Sequence, residues 1–522
     1  MAMANHNRSD HRPSVNLRLP PLAGEDKDAS LAAMSDFILV LDEGTTSTRA
    51  MLFDRSGTCR DSEGAALEQH YPRAGWVEHD AAQIWARTLA CGRAVVDRAG
   101  GANRVAAIGI ANQRETVVFW SKATGEPLAP AIVWQDRRTA ALCRDLRERG
   151  EEAGVQARTG LLLDPYFSGT KIAWALEHWP QLRESGDDLA IGTVESWLVR
   201  KLTGAHLTDA SNASRTLLMG LGTGRWDDGL LDLFGVPRGG LAEIVDNAGD
   251  FGTTDAFGGR IPICGLAGDQ QAATIGQACL DRGEVKATYG TGAFVLANCG
   301  ASPPASRHRL LSTVLWQLGG RRAYALEGSV FVAGSLMQWL RDSIGLIGQA
   351  GESEALARSV ADNGGVYCVP ALAGIGAPWW EAEARASLTG MSFSTTRAHL
   401  VRAALEAMAH QTHDLQTAFA ADGAKWACLR IDGGMVANDW MAQDLADMLD
   451  LEVERPAFAE TTALGAAMLA GVGCGWFADL AEAATMRGAT ERFAPAITAR
   501  ARDDRLRGWA TAVETVVAAA RR

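Results

Sequence analysis

Short apolar runs that end in polar turns recur from about residue 37 onward. The first run, residues 37–42, reads FILVLD and predicts a strand. A second run, Ala50 to Phe53, ends in the turn signal Asp54-Arg55-Ser56-Gly57. The segment GTTST lies between the two runs. This pattern predicts a β-hairpin with GTTST at its tip.

A second hairpin of the same kind is predicted in the other half of the chain. Residues 285–299 read VKATYGTGAFVLANC, two apolar strands around the turn Tyr289-Gly290-Thr291-Gly292. A third glycine turn, Asp432-Gly433-Gly434, follows a predicted strand at 427–431. One glycine-threonine hairpin in each half favours two similar domains that face each other across a central cleft.

Between these hairpins, helical and strand patterns alternate. The spacing of apolar residues predicts a helix over 80–98 and then a strand over 104–110. Such alternation is typical of α/β domains. We expect the boundary between the two domains near residues 277–283.

The length of 522 residues is too great for one hydrophobic core. We expect a first domain over 35–278 and a second over 279–522. Residues 1–33 are polar and lack both apolar periodicity and the pattern of a secretory signal, which predicts a disordered tail. Met34 is an alternative start, and a targeting arm is the alternative role for the tail.

The formal net charge of −12 argues against binding to nucleic acid or to anionic lipid. An anionic substrate must then be held by a local positive site. The nine cysteines show no CxxC pair and no zinc spacing, which favours buried thiols in a reducing cytoplasm. No apolar stretch has the length of a membrane helix.

Polar clusters follow several predicted strands, where ligands of α/β proteins bind. The GTTST turn with Arg49 offers backbone N–H groups and hydroxyls to an anion, and Asp42 could hold Mg²⁺ through water. A plain hairpin turn is the alternative. The fork of Arg114 beside the carboxylate of Glu115 suits neighbouring hydroxyls, as in a polyol, and a surface ion pair is the alternative.

Further clusters point to the same chemistry. Asp269, in GLAGDQQ, follows an apolar strand at the predicted N-cap of a helix, where it either caps the helix or accepts a proton from an alcohol. TYGTGAF forms a second loop of phosphate-binding type. The glycines of Asp432-Gly433-Gly434 allow a flat ring to approach the backbone, although a simple strand–helix turn fits as well. Aromatic residues between these clusters either pack in the core or cover the carbons of a small polyol: Trp134, Tyr166 and Phe294.

Taken in order, twelve segments of the chain resemble the FGGY carbohydrate kinases, and among them the glycerol kinases. They are DEGTTSTR, YPRAGWVEHD, IGIANQRET, IVWQDRRT, GLLLDPYFSGTK, TDASNASRT, GLAGDQQAA, TYGTGAF, YALEGSVFVAG, GAPWW, DGGMVAN and TALGAA. They extend from about residue 37 to the C-terminal region, so only the tail is uncovered.

The resemblance implies two actin-like, ribonuclease H-like ATPase domains, the first binding polyol and phosphates and the second the nucleotide. It implies ATP-dependent phosphorylation of glycerol to sn-glycerol 3-phosphate in glycerol catabolism, with Mg²⁺ as cofactor and ATP as co-substrate. It also implies a cytoplasmic homo-oligomer, a dimer or a tetramer. Two alternatives stay open: a kinase for another short polyol such as erythritol, and a catalytically silent sensor of polyol or nucleotide.

The resemblance also implies roles for individual residues. Asp269 would be the catalytic base, and Asp42 would hold Mg²⁺ through water. The polyol would bind to Arg114, Glu115, Trp134, Tyr166, Asp269, Gln270 and Phe294. The nucleotide would bind to Thr45, Thr46, Ser47, Arg49, Thr291, Gly334, Gln338, Gly434 and Asn438.

One residue departs from the family pattern, which usually has Gln where Glu43 stands. Neighbouring side chains on a strand point to opposite faces, so Glu43 is not expected to share the direction of Asp42. We therefore expect it to face away from the phosphates and to pair with a nearby Arg, Lys or backbone N–H.

Overall fold

The structure, a computed structural model, describes residues 35–381 and 383–522. The predicted tail over 1–33 and the alternative start at Met34 lie outside the described residues. Among those described, two large mixed sheets carry the fold, one with six strands and one with seven.

The strands in chain order are β1 (Phe37–Glu43), β2 (Ser47–Phe53), β3 (Cys59–Ala66), β4 (Glu78–His79), β5 (Val105–Asn112), β6 (Val118–Ser121), β7 (Ala131–Ile132), β8 (Leu189–Gly192), β9 (Leu207–Asp209), β10 (Met219–Gly220), β11 (Arg225–Trp226), β12 (Glu243–Val245), β13 (Thr253–Thr254), β14 (Ile261–Gly268), β15 (Glu284–Tyr289), β16 (Ala293–Gly300), β17 (Leu311–Leu318), β18 (Arg321–Val330), β19 (Tyr367–Val369), β20 (Ser387–Thr389), β21 (Cys428–Asp432), β22 (Val453–Pro456) and β23 (Thr490–Phe493).

The α-helices in chain order are α1 (Ala81–Arg98), α2 (Ala140–Glu148), α3 (Glu152–Thr159), α4 (Ser168–His178), α5 (Pro180–Glu184), α6 (Val194–Thr203), α7 (Ala210–Ala213), α8 (Asp228–Phe234), α9 (Asp269–Gly276), α10 (Gly334–Asp342), α11 (Glu352–Arg358), α12 (Arg397–Ala421), α13 (Asp439–Leu449), α14 (Thr461–Gly473), α15 (Leu480–Ala483) and α16 (Ala499–Ala520).

The six-stranded sheet has the order β13-β14-β5-β1-β2-β3. β1 and β2 form the predicted antiparallel hairpin, while β5 runs parallel to both β1 and β14. The register places Glu43 and Gly268 beside Asn112. The carboxyl ends of three parallel strands therefore meet at one edge of the sheet, and the polar residues that follow them are brought together.

The seven-stranded sheet repeats part of this arrangement in the order β17-β18-β16-β15-β21-β22-β23. β15 and β16 form the second predicted hairpin, and β21 runs parallel to β15 with Thr288 beside Asp432. The strand predicted at 427–431 is present as β21, and the helix predicted over 80–98 is present as α1, whose N-cap Asp80 accepts a hydrogen bond from the Ala82 N–H.

Helix α14, from the second half of the chain, packs on the six-stranded sheet. A Cβ atom at Gly109 of β5 would lie 2.4 Å from the Ala466 carbonyl oxygen, and one at Gly265 of β14 would lie 2.5 Å from the Ala470 nitrogen. The glycines thus allow a helix backbone to approach the sheet directly. Because α14 belongs to the predicted second domain but packs on the first sheet, the division at residue 278 stays a prediction.

Two further expectations concern the whole chain. All nine cysteines are free thiols, but only five are buried and four are half-buried, so the prediction of buried thiols holds in part. Across residues 35–381 and 383–522, every helix is too short or too polar to cross a membrane.

Candidate active site

The candidate site lies where the strand ends of the two sheets meet. Arg114 follows β5 of the six-stranded sheet, and both of its η nitrogens contact Glu327 on β18 of the seven-stranded sheet, at 2.6 and 3.0 Å. Its Nε lies 3.4 Å from Oδ1 of Asp269, which follows β14. The predicted polyol residue Arg114 and the predicted base Asp269 are therefore adjacent.

Glu115 is held from the opposite side by a second arginine. Its Oε1 accepts a hydrogen bond from Arg215 Nε at 2.6 Å, and Arg215 Nη2 donates to Glu327 Oε1 at 3.1 Å. The side chains of Arg114 and Glu115 are only 2% and 1% exposed, so the alternative interpretation of a surface ion pair is wrong. Buried charges of this kind persist only when they are paired and hydrogen-bonded.

The electrostatics favour the ionised state of Glu327 and of both arginines but not that of Glu115. Burial disfavours the charge of Glu327, but the attraction of Arg114 and Arg215 outweighs it and holds the pKa of Glu327 at about 2. For Glu115, burial is the larger effect and raises the pKa despite the same two arginines. Glu327 is thus the permanent anion between the guanidinium groups.

Aromatic residues form one side of this cluster. The rings of Trp134 and Tyr166 meet edge-to-face at 5.6 Å, and the Tyr166 hydroxyl lies 3.3 Å from Arg114 Nη2. Phe294 pairs with Ser329 across β16 and β18, which places it on the same sheet face as Glu327. The structure therefore brings Tyr166, with Trp134 against it, to the charged cluster, and it places Phe294 on the sheet face that carries Glu327.

Asp269 is the first residue of α9, and Gly268 is the N-cap, so the predicted capping position of Asp269 is wrong by one residue. The Asp269 carboxylate accepts a hydrogen bond from the Gln270 N–H at 2.7 Å and is 32% exposed. This hydrogen bond leaves part of the carboxylate exposed, so the carboxylate remains accessible to a hydroxyl in the cleft. Gln270 Oε1 in turn accepts a hydrogen bond from the buried Lys286 Nζ at 2.6 Å.

The first hairpin loop is held by charged side chains. Arg49 pairs with Asp42 at 2.8 Å and with Glu460, just before α14, at 2.7 Å. Thr45 accepts a hydrogen bond from Trp134 Nε1 at 2.8 Å, which connects the loop to the aromatic side of the polyol cluster. Ser47 begins β2 and its carbonyl accepts from the Gly44 N–H, while the Thr46 side chain is exposed at the tip.

The environment of Asp42 suits a hydrated Mg²⁺ ion. Burial raises its pKa to about 6 despite Arg49, and repulsion from Glu460 and Asp269 adds to the effect. A divalent cation would relieve that repulsion. The described residues hold no cluster of three or more His, Cys, Asp or Glu side chains that could bind a metal directly. Mg²⁺ usually keeps several waters and binds through one or two carboxylates and substrate phosphates, so the single carboxylate of Asp42 could hold it.

Glu43 points to the opposite face of β1, as predicted, but its partners differ from the expectation. Its Oε1 accepts hydrogen bonds from the hydroxyls of Thr48, at 2.6 Å, and of Thr88 on α1, at 2.7 Å. The predicted pairing with Arg, Lys or a backbone N–H is therefore wrong. Because two neutral hydroxyls do not compensate for burial, the pKa of Glu43 is raised to about 7.

The second hairpin loop is held by backbone groups. The Gly334 N–H donates to the Gly290 carbonyl at 2.8 Å, and the Ala333 N–H donates to the Thr291 carbonyl at 2.9 Å. Gly334 begins α10, and Gln338 lies one turn further along it with an exposed side chain. The loop therefore lies against the start of a helix.

The glycine turn after β21 completes this side of the cleft. Gly433 has φ +94°, and a Cβ atom there would lie 2.5 Å from the Tyr289 carbonyl oxygen. Gly434 faces open space, and Asn438 caps α13 by accepting a hydrogen bond from the Met441 N–H at 2.9 Å. Three predicted nucleotide residues are thus grouped beside the second hairpin: Gly334, Gly434 and Asn438.

Sequence reasoning missed three charged residues of the site. Arg215 and Glu327 lie inside the segments TDASNASRT and YALEGSVFVAG, and Lys286 lies in the strand before TYGTGAF. The available signal was a charge within an apolar run, since Glu327 and Lys286 each interrupt a buried strand. Their partners are distant in sequence, which hides the pairing.

Comparisons with known proteins identify the family of this chain. Models of the N-terminal and C-terminal domains of the FGGY family of carbohydrate kinases match residues 37–276 and 285–474. Glycerol kinase of Rhodospirillum rubrum is 52% identical over 92% of this chain and 99% of its own, and that of Rhodospirillum centenum is 53% identical over 91% and 97%.

Solved structures give the same result for the fold. Plasmodium falciparum glycerol kinase with ADP superposes with a TM-score of 0.88 at 34% identity, covering 92% of this chain and 98% of that one. Gluconate kinase from Lactobacillus acidophilus, at 21% identity and a TM-score of 0.85, shares the fold. The expected two-domain, actin-like fold is confirmed, and the chain belongs to the FGGY family of carbohydrate kinases.

Proposed function

We propose that this chain transfers the γ-phosphoryl group of ATP to glycerol and forms sn-glycerol 3-phosphate in glycerol catabolism. Relatives named glycerol kinase are about half identical over nearly their whole length. The observation that carries the proposal is the 3.4 Å contact between Arg114 and Asp269 at the end of a buried charge cluster. It sets the Nε edge of the Arg114 guanidinium beside an accessible carboxylate.

In this proposal Asp269 accepts the proton of the attacking hydroxyl. The hydroxyl oxygen forms a bond to the γ-phosphorus while the bond from that phosphorus to the bridging oxygen of ADP breaks. Phosphoryl transfer has a loose transition state, so orientation and charge stabilisation supply most of the catalysis. Arg114, Glu115 and Gln270 orient the hydroxyls, and Trp134 and Phe294 cover the carbons.

The nucleotide is proposed to lie between the two hairpin loops. Thr45, Thr46, Ser47 and Arg49 contact the phosphates from one side, and Thr291 contacts them from the other. Gly334, Gln338, Gly434 and Asn438 line the rest of the nucleotide site. Mg²⁺ near Asp42 supplies positive charge to the phosphoryl oxygens when it is bound.

The proposed division of labour places polyol and phosphates mainly on residues 35–278 and the nucleotide on 279–522. We further propose a cytoplasmic homo-oligomer, a dimer or a tetramer, in keeping with the family resemblance. Size-exclusion chromatography with light scattering tests the assembly, and a monomeric mass would contradict it.

A coupled assay of ADP release tests the substrate. Glycerol, erythritol, dihydroxyacetone and pentuloses are compared by kcat/KM, and glycerol is expected to be the best of them. A higher value for erythritol would favour the alternative kinase. Absence of turnover with all of them, together with ATP binding, would favour the silent sensor, which the presence of both Asp269 and the threonine loop opposes.

The variant Asp269→Asn tests the base. The amide cannot accept the proton, so kcat is expected to fall about a hundredfold or more with little change in melting temperature. Asp145→Asn is the matched control, since Asp145 is an exposed carboxylate on α2 beside Arg149. Near wild-type turnover of Asp269→Asn would contradict the assignment.

A further inference from the structure

Two proposed polyol residues, Arg114 and Glu115, form a buried cluster of alternating charge with Arg215 and Glu327, and we call these four residues the charge ring. Their side chains are between 0% and 2% exposed. Arg215 contacts both Glu115 and Glu327, Arg114 contacts Glu327, and Arg114 Nε lies 4.0 Å from Glu115 Oε1. The ring is electrically neutral as a whole, so each member depends on the others for its charge compensation.

Glu327 differs from the other three members because it comes from β18 of the seven-stranded sheet. It accepts three hydrogen bonds from the two arginines, two from Arg114 and one from Arg215. A bidentate contact fixes the plane of a guanidinium group, which a single contact does not. The orientation of Arg114 is therefore set by a residue of the other sheet.

That orientation decides what Arg114 offers to the cleft. With both η nitrogens engaged by Glu327, the remaining Nε faces Asp269 at 3.4 Å, and Nη2 also lies near the Tyr166 hydroxyl. If the carboxylate of Glu327 were absent, the two arginines would share Glu115 and Asp269 as their nearest anions. Arg114 would then be free to turn toward Asp269 and occupy the predicted base.

We infer that Glu327 and Arg215 are positioning residues for the polyol site. Glu327 holds Arg114 in the plane in which it meets a substrate hydroxyl, and Arg215 holds Glu327 and Glu115 in place. Neither touches the reacting atoms in this scheme. The inference rests on the proposed phosphorylation of a polyol. It adds the residues that fix the orientation of Arg114.

The charge ring also divides the two substrates. Its members contact the proposed polyol residues Tyr166 and Asp269 and the buried Gln271, and none contacts the hairpin loops in the hydrogen bonds of the described residues. A change in Glu327 should therefore affect the polyol and leave ATP largely unaffected. A residue that merely stabilised the fold would not separate the two.

The test is steady-state kinetics of the full chain carrying Glu327→Gln. The amide keeps the shape but removes the charge and one acceptor, so KM for glycerol is expected to rise about tenfold or more and kcat to fall. KM for ATP is expected to stay within about twofold of the wild-type value. The ratio of the polyol KM to the ATP KM is measured with whichever polyol the wild-type chain phosphorylates. The test therefore remains valid if glycerol is not the substrate.

A matched control is available at a buried ion pair that belongs neither to the charge ring nor to the proposed polyol site. Asp444 is buried and makes a bidentate pair with Arg505 at 2.6 and 2.9 Å, similar to the pair of Glu327 and Arg114. Asp444→Asn is expected to lower the melting temperature without changing the ratio of the two KM values. Equal changes in that ratio for both variants would overturn the inference.

Two other results would also overturn it. One is a folded Glu327→Gln variant whose polyol KM lies within about twofold of wild type, and the other is a parallel rise in both KM values. If Glu327→Gln does not fold, Arg215→Lys is tested instead, because lysine keeps the charge but cannot bridge Glu115 and Glu327. A polyol KM raised about fivefold supports the inference, and an unchanged one overturns it.

Discussion

Both hairpin loops at the cleft are predicted to bind phosphate, but different kinds of contact hold them in place. The first, residues 44–46, depends on side-chain charge, because Arg49 pairs with both Asp42 and Glu460. The second, residues 290–292, depends on backbone contacts, because Gly290 and Thr291 accept hydrogen bonds from Gly334 and Ala333 at the start of α10. The first loop therefore depends on particular charged side chains, and the second depends on glycines that let backbone groups approach closely.

This difference predicts different sensitivities. Added atoms near the second loop meet backbone that cannot move away, as at Gly292, where a Cβ atom would lie 2.6 Å from the Val330 carbonyl oxygen. Removal of a charged side chain near the first loop leaves the backbone in place but changes the electrostatic field at the phosphates. Substitutions in the second loop should therefore disturb the fold first, and those in the first loop should disturb nucleotide binding first.

The largest effect is expected for Gly433→Ala beside the second loop. Gly433 has φ +94° and ψ 170°, a region that is open essentially to glycine alone, and its new Cβ would lie 2.5 Å from the Tyr289 carbonyl oxygen. The variant should lose about 2–4 kcal/mol of unfolding free energy and bind ATP poorly. Chemical denaturation and the KM for ATP measure both effects.

Its neighbour supplies the control. A Cβ atom at Gly434 would meet nothing within 4 Å, so Gly434→Ala should keep its stability within about 0.5 kcal/mol. Because Gly434 is a proposed nucleotide residue, only its KM for ATP should rise. Equal stability of the two variants would remove the backbone argument for the second loop.

A smaller effect is expected for Arg49→Met in the first loop. The methionine keeps much of the apolar stem but removes the contacts to Asp42, Glu460 and, by proposal, phosphate. KM for ATP should rise about tenfold, and its dependence on salt should weaken, since a charge-assisted contact is lost. The loss of unfolding free energy should stay below that of Gly433→Ala, because the Arg49 side chain is 38% exposed, although the buried Asp42 loses its partner.

Arg60→Met is the control for that experiment. Arg60 lies on β3 and pairs with Asp54 at the turn between β2 and β3, where its side chain is 56% exposed. It should leave the KM for ATP unchanged. A similar rise in both variants would mean that the general charge of the hairpin, and no specific contact of Arg49, controls nucleotide affinity.

The sequence predicted the hairpins because their signals are local. An apolar run, a glycine turn and a second apolar run lie within about fifteen residues, and the observed strands Phe37–Glu43 and Ser47–Phe53 follow them closely. The same holds for the clusters at strand ends, since parallel strands place their carboxyl ends at one edge. Arg114 and Asp269 could therefore be expected to meet.

The sequence did not predict the charge ring or the partner of Arg49. Arg114 and Glu327 are 213 residues apart, and Glu460 joins Arg49 only because α14 crosses to the six-stranded sheet. No periodicity encodes such pairings. The partners of Glu43 were missed for a related reason, since Thr88 faces it only after α1 packs on the β1–β2 hairpin.

The smallest effect on catalysis is expected for Glu43→Gln, which keeps the first loop intact. Glutamine offers the same acceptor to Thr48 and Thr88, and the side chain lies on the face of β1 opposite to Asp42. KM for ATP at neutral pH should therefore change less than about twofold. A large decrease would show that the carboxylate acts on the phosphates after all.

The stability of the same variant should depend on pH, and the sign follows from the raised pKa of Glu43. Burial raises that pKa from 4.5 to about 7, so the folded state holds the proton more tightly than the unfolded chain does. The stability due to this proton is complete below about pH 4.5 and is lost as the pH rises through 7.

Glutamine does not titrate over that range, so it loses no stability there. The unfolding free energy of Glu43→Gln should therefore rise relative to that of the wild type by on the order of 2 kcal/mol between about pH 5 and pH 8.5. Parallel denaturation curves at the two pH values measure the gain, and a difference that does not change with pH would contradict a buried, protonated Glu43 at the base of the loop.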